Sequence, residues 1–406
     1  MRLLLSFAPL LASVALLQLS SGGLGPMDAL SGLTLGFSTG EIGLLGSAHF
    51  TGFFLGCWWA PRLMGSVGHA RAFAAFTALG AIGLLAHMLL TTPWAWAGMR
   101  VASGLCIAGC YTVIEAWLQA RVTNATRGRA MGSYRLVDMG GSLLAQLLVG
   151  MLEPATYAAY TLLAILCCAA LLPLTLTTTA QPATPAAPRL RPALAFTRSP
   201  LAGAAVLAAG LTSGSFRTVG PVYGQAVGLA PEQIGLFLAI WIGGGALAQW
   251  PAGWLADRYD RRWVLIALSI ASTLACLATI ATSGSTAAIL ATAAIFGAAS
   301  FPIYSVAAAH AHDWASDDER VELSAALMFA FAAGAIAAPL TASWLMAATG
   351  PAALFWLIAA AHVALAVIGT FRMRARPTSA ERTPYVYAPR TSFLIGLLTG
   401  RQRKDP

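Results

Sequence analysis

Six ionisable side chains stand inside long apolar runs, where charge is costly and marks a cavity or a buried partner. Arg135 and Asp138 lie three apart, hence on nearly one face of a helix. Arg217 sits in SGSFRTVGP with no acid in the same run. Arg100 and Glu115 share another run, and His49 occupies a further one. A lone cation facing a cavity suits an anionic group on a ligand. Arg135 and Arg217 together would clamp a carboxylate or phosphate; in the other reading, Arg135 and Asp138 neutralise one another. Asp138, Glu115, Arg100 and His49 are the candidates for handling a proton. Glu115 has a second reading as an anchor for Arg121 or Arg127, and His49 as a hydrogen-bonded packing residue. Gln18, Trp241 and Tyr304 complete the candidate binding set.

The elements that must position these groups follow from composition. The chain has 406 residues, 58% hydrophobic and 10% charged, with a mean hydropathy of +0.73. A soluble chain of this length carries far more charge. Spanning a bilayer takes about 20 mostly apolar residues. Twelve such runs are present: 5–33, 42–60, 72–90, 95–117, 130–151, 157–175, 201–223, 232–254, 263–282, 287–309, 321–345 and 350–371. They show no alternating period, so helices are expected rather than a barrel. The fold predicted is an all-α membrane protein of twelve transmembrane helices. The opening MRLLLSFAPLLASVALL is read as the first helix rather than a cleaved leader. Trp58, Trp59, Trp94 and Trp96 lie near run ends and read as interface anchors.

Charge orients the helices. Of 24 Lys and Arg, all but Arg100, Arg135 and Arg217 fall at the N-terminus, in alternate connections or in the tail. The other connections hold Asp28, Glu41, Glu153 and Glu232 at their edges and no base. Both termini are therefore expected in the cytoplasm of a multi-pass protein, in a bacterial inner membrane. The net charge of +9 reflects topology and attraction to anionic lipid headgroups, without nucleic acid. Cys57, Cys106, Cys110, Cys167, Cys168 and Cys276 all lie in apolar runs and read as packing residues. His310 and His312 beside Asp313 have a spacing that points to different helix faces, so no metal is expected. No phosphate-binding glycine loop with its lysine is present, so no cofactor and no ATP drive are expected.

The chain divides in two. Residues 177–200 are rich in Pro, Ala and Thr and read as a cytoplasmic linker. Residues 1–176 and 201–371 are two six-helix bundles, and 372–406 a basic tail, placed either on the inner leaflet or in disorder. TGEIGLL (39–45) is repeated as PEQIGLF (231–237). The same offset, within one residue, carries Gly104 and Tyr111 onto Gly297 and Tyr304. Two parallel halves are a known transporter plan.

GWLADRYDRR (253–262) puts five charges into its last six residues, between the eighth and ninth runs. It resembles the G-x-x-x-D-R-x-G-R-R signature of the major facilitator superfamily: Gly253, Asp257, Arg258, Arg261 and Arg262 match, and Asp260 replaces a glycine. Arg100 and Gly104 resemble the start of that family's R-x-x-x-G-x-x-x-G motif, with Ala108 at the second glycine. HFTGFFLG (49–56), NATRGRAMGSY (124–134), QWPAGWLADR (249–258) and FPIYSVA (301–307) are similar to the YcaD-type branch. The resemblance spans all twelve runs. It implies that Asp257 helps latch one conformation, expected against Arg127 and Arg129, and that Arg100 serves proton coupling. At the corresponding place in the first half, Pro61, Gly65, Ser66 and His69 stand for Gly253, Asp257, Arg258 and Arg261. A second latch is therefore in doubt. The acids Asp313, Asp317, Asp318, Glu319 and Glu322 either meet Arg62 or Arg71 or cap a helix.

The expected protein is a monomeric secondary transporter, not an enzyme. It moves a small molecule by alternating access, coupled to protons, with export of amphipathic or anionic metabolites favoured. Uptake symport stays open, since the helix-5 stretch MGGSLLAQLLVG (139–150) lacks the Gly-Pro pair of antiporters. A non-transporting receptor or scaffold on the same fold also stays open. Deleting the tail separates these classes: a transporter reconstituted in vesicles retains flux without it, and a scaffold that works through its tail does not.

Overall fold

The computed structural model describes residues 2–123, 126–176, 189–316, 318–375, 382–383, 385–388 and 390–393. All regular elements among them are helices. In chain order they are α1 (Arg2–Thr34), α2 (Thr39–Val67), α3 (His69–Ala86), α4 (Pro93–Arg121), α5 (Arg127–Met151), α6 (Tyr157–Ala169), α7 (Leu171–Thr175), α8 (Ala193–Arg198), α9 (Pro200–Ala226), α10 (Pro231–Arg258), α11 (Arg261–Ala281), α12 (Thr286–Ser300), α13 (Pro302–His312), α14 (Arg320–Thr349) and α15 (Ala353–Ala375). Each apolar run coincides with one helix or with a broken pair, α6–α7 or α12–α13. Nine stretches among the described residues are long and apolar enough to cross a membrane. Helices α2, α5 and α9 are not among the nine. They are rich in Gly, Ser, Thr and charge, and they carry His49, Asp138 and Arg217.

Short side chains start the helices. Ser38 accepts from the Glu41 backbone N–H while the Glu41 carboxylate accepts from Ser38, a reciprocal cap on α2. Thr92 and Ser199 cap α4 and α9 just ahead of a proline, which lacks the N–H that a first turn leaves unbonded. Gly68 alone joins α2 to α3 at a φ of 86°, a left-handed conformation that glycine tolerates. In the second half two residues, Tyr259 and Asp260, make the corresponding turn. Gly253, Asp257 and Arg258 thus lie in the last turns of α10 rather than in a loop. The acceptor ends of a helix favour the Arg258 charge there.

Packing repeats itself. In the first half α1 packs on α5, α2 on α4 and α3 on α6; in the second, α9 packs on α14, α10 on α12 and α11 on α15. Across the middle, α2 meets α14 and α5 meets α10. The crossings are close enough to require glycine. A Cβ on Gly52 or Gly104 would lie 2.0 Å from the carbonyl oxygen of Val101 or His49. One on Gly244 or Gly297 would lie 2.2 or 1.9 Å from that of Ala294 or Trp241. The repeat match between Gly104 and Gly297 is therefore one helix crossing built twice. Small residues let backbones approach where lipid supplies no hydrophobic drive between helices. The outer surface is apolar instead: Leu247 and Trp250 are each 80% exposed, as a lipid-facing surface allows. Trp96 is no interface anchor. It is fully buried, because its indole N–H reaches the His87 carbonyl at 2.8 Å.

The two ends of the bundle differ. At the end remote from both termini the halves touch: Ser47 Oγ donates to the Ile336 carbonyl at 2.6 Å. A Cβ on Gly43 would meet Ser343, and one on Gly235 would meet Gln146 and Gly150. Toward the other end α2 still meets α14, with Phe54 edge-on to Phe329 and Cys57 clustered with Ala325 and Met328, and the described tail residues 382–383, 385–388 and 390–393 lie against both halves. Gly297→Val should drive α10 and α12 apart and cost about 1–3 kcal/mol, read as a lower melting temperature in detergent. Gly98→Ala, with nothing within 4 Å of its added Cβ, should leave the melting temperature unchanged or raise it.

Candidate functional site

A cavity of about 170 Å³ lies where α1, α2, α4, α5, α9 and α10 converge. Gln18, His49, Arg100, Asp138, Arg217 and Trp241 all line it. Asp138 accepts from Gln18 Nε2 at 2.6 Å and from the Tyr111 hydroxyl at 2.5 Å. Arg135 is not its partner: no ion pair joins the two among the described residues. Arg135 instead sets its guanidinium over the Tyr387 ring, with one nitrogen 4.0 Å from Met139 Sδ and another without a hydrogen bond. Three residues along a helix is close enough for contact, but Tyr387 offers the cation a face. The clamp expected from Arg135 and Arg217 is not assembled, since only Arg217 lines the cavity. Among the described residues Arg217 has no acid within ion-pair distance; it faces the Trp241 ring, with 5.8 Å from guanidinium carbon to centroid. Trp241 itself is fixed by Phe216, Phe296 and Phe301 and by a 3.4 Å bond to Ser300. Tyr304 lies behind the wall, edge-on to Phe331.

His49 makes a 3.3 Å contact from Nδ1 to Ser103 Oγ on the cavity wall. Arg100 opens a group that the sequence reading missed. Its Nε stands 3.5 Å from Asp28 Oδ2, and His87 Nε2 stands 3.4 Å from the same oxygen. The Tyr160 hydroxyl donates to Asp28 Oδ1 at 2.9 Å. All four side chains are buried. Asp28 had been placed at a loop edge, yet it lies well inside α1. The usable signal was Arg100: a buried arginine requires a nearby acid, and Asp28 is the acid closest to the same end. The two ion-pair distances exceed the 2.7–2.9 Å typical of tight charge-assisted bonds, so the carboxylate is shared loosely.

Glu115 is buried and accepts from Tyr134 at 2.8 Å and from the hydroxyls of Thr391 and Ser392. Three hydroxyls thus serve Glu115 among the described residues. The side chain of Arg127 lies outside the described residues, and Arg129 is exposed. Asp257 accepts instead from Arg261 at 3.2 Å and from the Tyr385 backbone N–H at 2.8 Å. Arg261 is the hub of the signature. Fully enclosed, it donates to the Ala309 carbonyl at 2.8 Å, to Asp313 at 2.7 Å and to the Thr383 carbonyl. Arg262 pairs with Asp260 at 2.6 Å, and Arg258 lies over Trp254. Burial opposes ionisation of Asp260, but bonds from the Arg262 guanidinium and backbone outweigh it and hold the carboxyl below its usual range. The acids before α14 do not reach Arg62 or Arg71: Glu322 pairs with Arg191 at 3.1 Å and Glu319 with Arg198. Asp317 lies outside the described residues. The nearer acceptors for Arg62 are the Trp58 carbonyl and ring.

The model of the Major Facilitator Superfamily matches residues 10–225 and 201–402. The chain belongs to that superfamily. A multi-pass integral membrane protein follows, and secondary transport is the superfamily's activity. An MFS-type transporter of Yersinia pestis (strain Pestoides F) is 29% identical over 349 residues, covering 86% of this chain and 89% of that one. The MFS-type transporter YcaD of Salmonella newport (strain SL254) is 28% identical over 352 residues, covering 86% and 91%. Among solved structures, a mutant of the nucleoside transporter NupG superposes with a TM-score of 0.74 at 16% identity, covering 89% and 98%. A bacterial homolog to human Spinster, inward-facing and occupied, gives 0.71 at 16% identity, covering 92% and 97%. These likenesses establish the superfamily's fold. Within the signature, Arg261→Ala should remove the charge that balances the enclosed Asp313 carboxylate and destabilise the protein by about 3–5 kcal/mol, read by thermal unfolding in detergent. Arg258→Ala, exposed on its tryptophan, should change stability by under about 0.5 kcal/mol.

Proposed function

We propose that this chain is a proton-coupled secondary transporter of a small solute bearing an anionic group. It would cross the membrane twelve times with both termini cytoplasmic, as the distribution of arginine favours. Residues 1–176 and 201–371 would rock against one another about the central cavity. The state described here would be inward-facing, a reading supported by tail residues Tyr387, Arg390 and Thr391 lining the cavity. An exporter loads in this state and an uptake symporter unloads in it.

One observation carries the reading of the solute: Arg217 lines the cavity with no acid in ion-pair contact among the described residues, while Asp138 in the same cavity is already engaged by Gln18 and Tyr111. An anion entering the cavity would supply the missing charge, with Trp241 as an apolar platform beside it. Proton coupling rests on Asp28. A proton on that carboxylate would release Arg100, which itself lines the cavity, so occupancy and protonation would compete for one arginine. Glu115, Asp138 and His49 remain candidates in the same pathway.

Thermal unfolding of the purified protein against pooled anionic and cationic metabolites tests the site, since a bound compound raises the melting temperature. An anionic compound should bind and lose about 10- to 100-fold in affinity in Arg217→Ala, the loss expected for a charged hydrogen bond. In proteoliposomes, Asp28→Asn should abolish uphill flux of that compound under a pH gradient and spare its exchange. Binding restricted to cationic lipophiles and unchanged in Arg217→Ala would overturn the anionic reading and shift the site to Asp138.

A further inference from the structure

The described tail residues between 382 and 393 do not lie on a membrane surface. They run along the cleft between the halves, and nearly every one is bonded to its wall. Arg382 donates to the Tyr259 carbonyl at 2.9 Å, and the Thr383 backbone N–H to Asp313 at 2.8 Å. Tyr385 places its ring where a side chain on Gly253 would be, gives its N–H to Asp257 and donates its hydroxyl to Gln249 at 2.8 Å. Tyr387 stacks on Arg135 of the opposite half. The Ala388 N–H reaches Ser305 Oγ at 3.3 Å. Thr391 and Ser392 cap Glu115, and Phe393 packs with Cys57 and Ala108 of the first half and Ala325 and Met328 of the second. The segment therefore begins on the second half and ends where the two halves meet.

Arg390 is the residue that enters the solute site. It donates to Ser213 at 3.2 Å and stands 5.0–5.6 Å from the rings of Phe301, Tyr304 and Phe331. Three aromatic faces around one guanidinium make a cation subsite. Tyr387, Arg390 and Thr391 line the same cavity as Arg217 and Asp138. The signature residue Asp257, read from sequence as a latch between halves, here holds the tail.

We propose that residues 382–393 are a built-in competitor: Arg390 fills an aromatic cation subsite, and the strap must leave before solute passes the cleft or the halves close there. Two terms favour the bound strap. It adds two hydroxyl donors to buried Glu115 beside that of Tyr134, and being part of the chain it acts at high effective concentration. While it stays, the halves cannot close further there, because Tyr385 lies on α10, Tyr387 on α5 and Phe393 between α2 and α14. The inference rests on the cavity being the solute's path, but its test needs no solute.

Ser21 lines the cavity and bonds only to the Leu17 carbonyl of its own helix. In the full chain, the Ser21→Cys thiol is exposed to N-ethylmaleimide, and its modification is followed by peptide mass spectrometry. At the far end the helices approach closely around Gly43, Gly46 and Gly235, so the expected route for the reagent runs past the strap. Modification should be slow. Arg390→Ala, or Thr391→Ala with Ser392→Ala, should speed it about tenfold, the factor equal to 1.4 kcal/mol. A synthetic peptide of residues 382–393 should restore protection saturably. Arg374→Ala, exposed at the end of α15, should have no effect. Equal rates in all folded variants, or a rise that the peptide does not reverse, would overturn the strap and leave the transport reading intact. Loss of flux with strap-dependent protection preserved would do the converse.

Discussion

An ionised group in a bilayer must find a partner within a few ångström or not be there at all, and the organisation of this molecule follows from that rule. Each charge within the helices is accounted for differently. Asp28 sits between Arg100 and His87. Asp138 takes two neutral donors. Glu115 takes three hydroxyls, two of them from the tail. Arg261 gathers carbonyls and carboxylates from three separate segments. Arg217 has an aromatic ring and open cavity. The group whose account is left open is where a ligand's charge would be welcome.

The second constraint is backbone proximity. Lipid does not push helices together, so contact depends on how closely they can approach. Glycines at Gly52 with Gly104, and at Gly244 with Gly297, bring carbonyls into the space that a side chain would fill. Such crossings make each half stiff. The interface between halves uses the same device around Gly43, Gly150 and Gly235, and α2 meets α14 again where Phe54 lies edge-on to Phe329. A close glycine-lined contact is a natural pivot for two bodies. At the other end a polar chain segment lies against both halves, held by contacts that can be exchanged for water.

The signature stretch of charges illustrates how one motif serves several tasks. Arg261 is structural, buried and multiply bonded. Arg258 and Arg262 stay local, on Trp254 and Asp260. Asp257 is half exposed and shared between Arg261 and the Tyr385 backbone. Its exposure is what makes it available for exchange between partners as the cleft opens and shuts, whereas Arg261, with its donors spent, is not.

Helix positions, the doubled plan and the polar residues of the cavity were legible in the sequence, because hydropathy, small-residue spacing and the rarity of charge in lipid are local properties. Gln18, His49, Asp138, Arg217 and Trp241 were found as cavity residues for that reason. Partnership was not legible. Arg135 and Asp138 are close in sequence yet turn to different partners, Asp28 pairs across helices with Arg100, and the acids before α14 meet Arg191 and Arg198 rather than Arg62 or Arg71. Trp96 was misread as an anchor because the carbonyl that satisfies it comes from a separate turn. The place of the described tail residues was not legible either. A basic tail with an apolar stretch suggests the inner leaflet or disorder; only the assembled halves, with Glu115, Asp257 and three aromatic rings, create the surface that residues 382–383, 385–388 and 390–393 occupy. Pairing of charges and filling of clefts depend on distances between segments far apart in the chain, and those are decided by the tertiary structure.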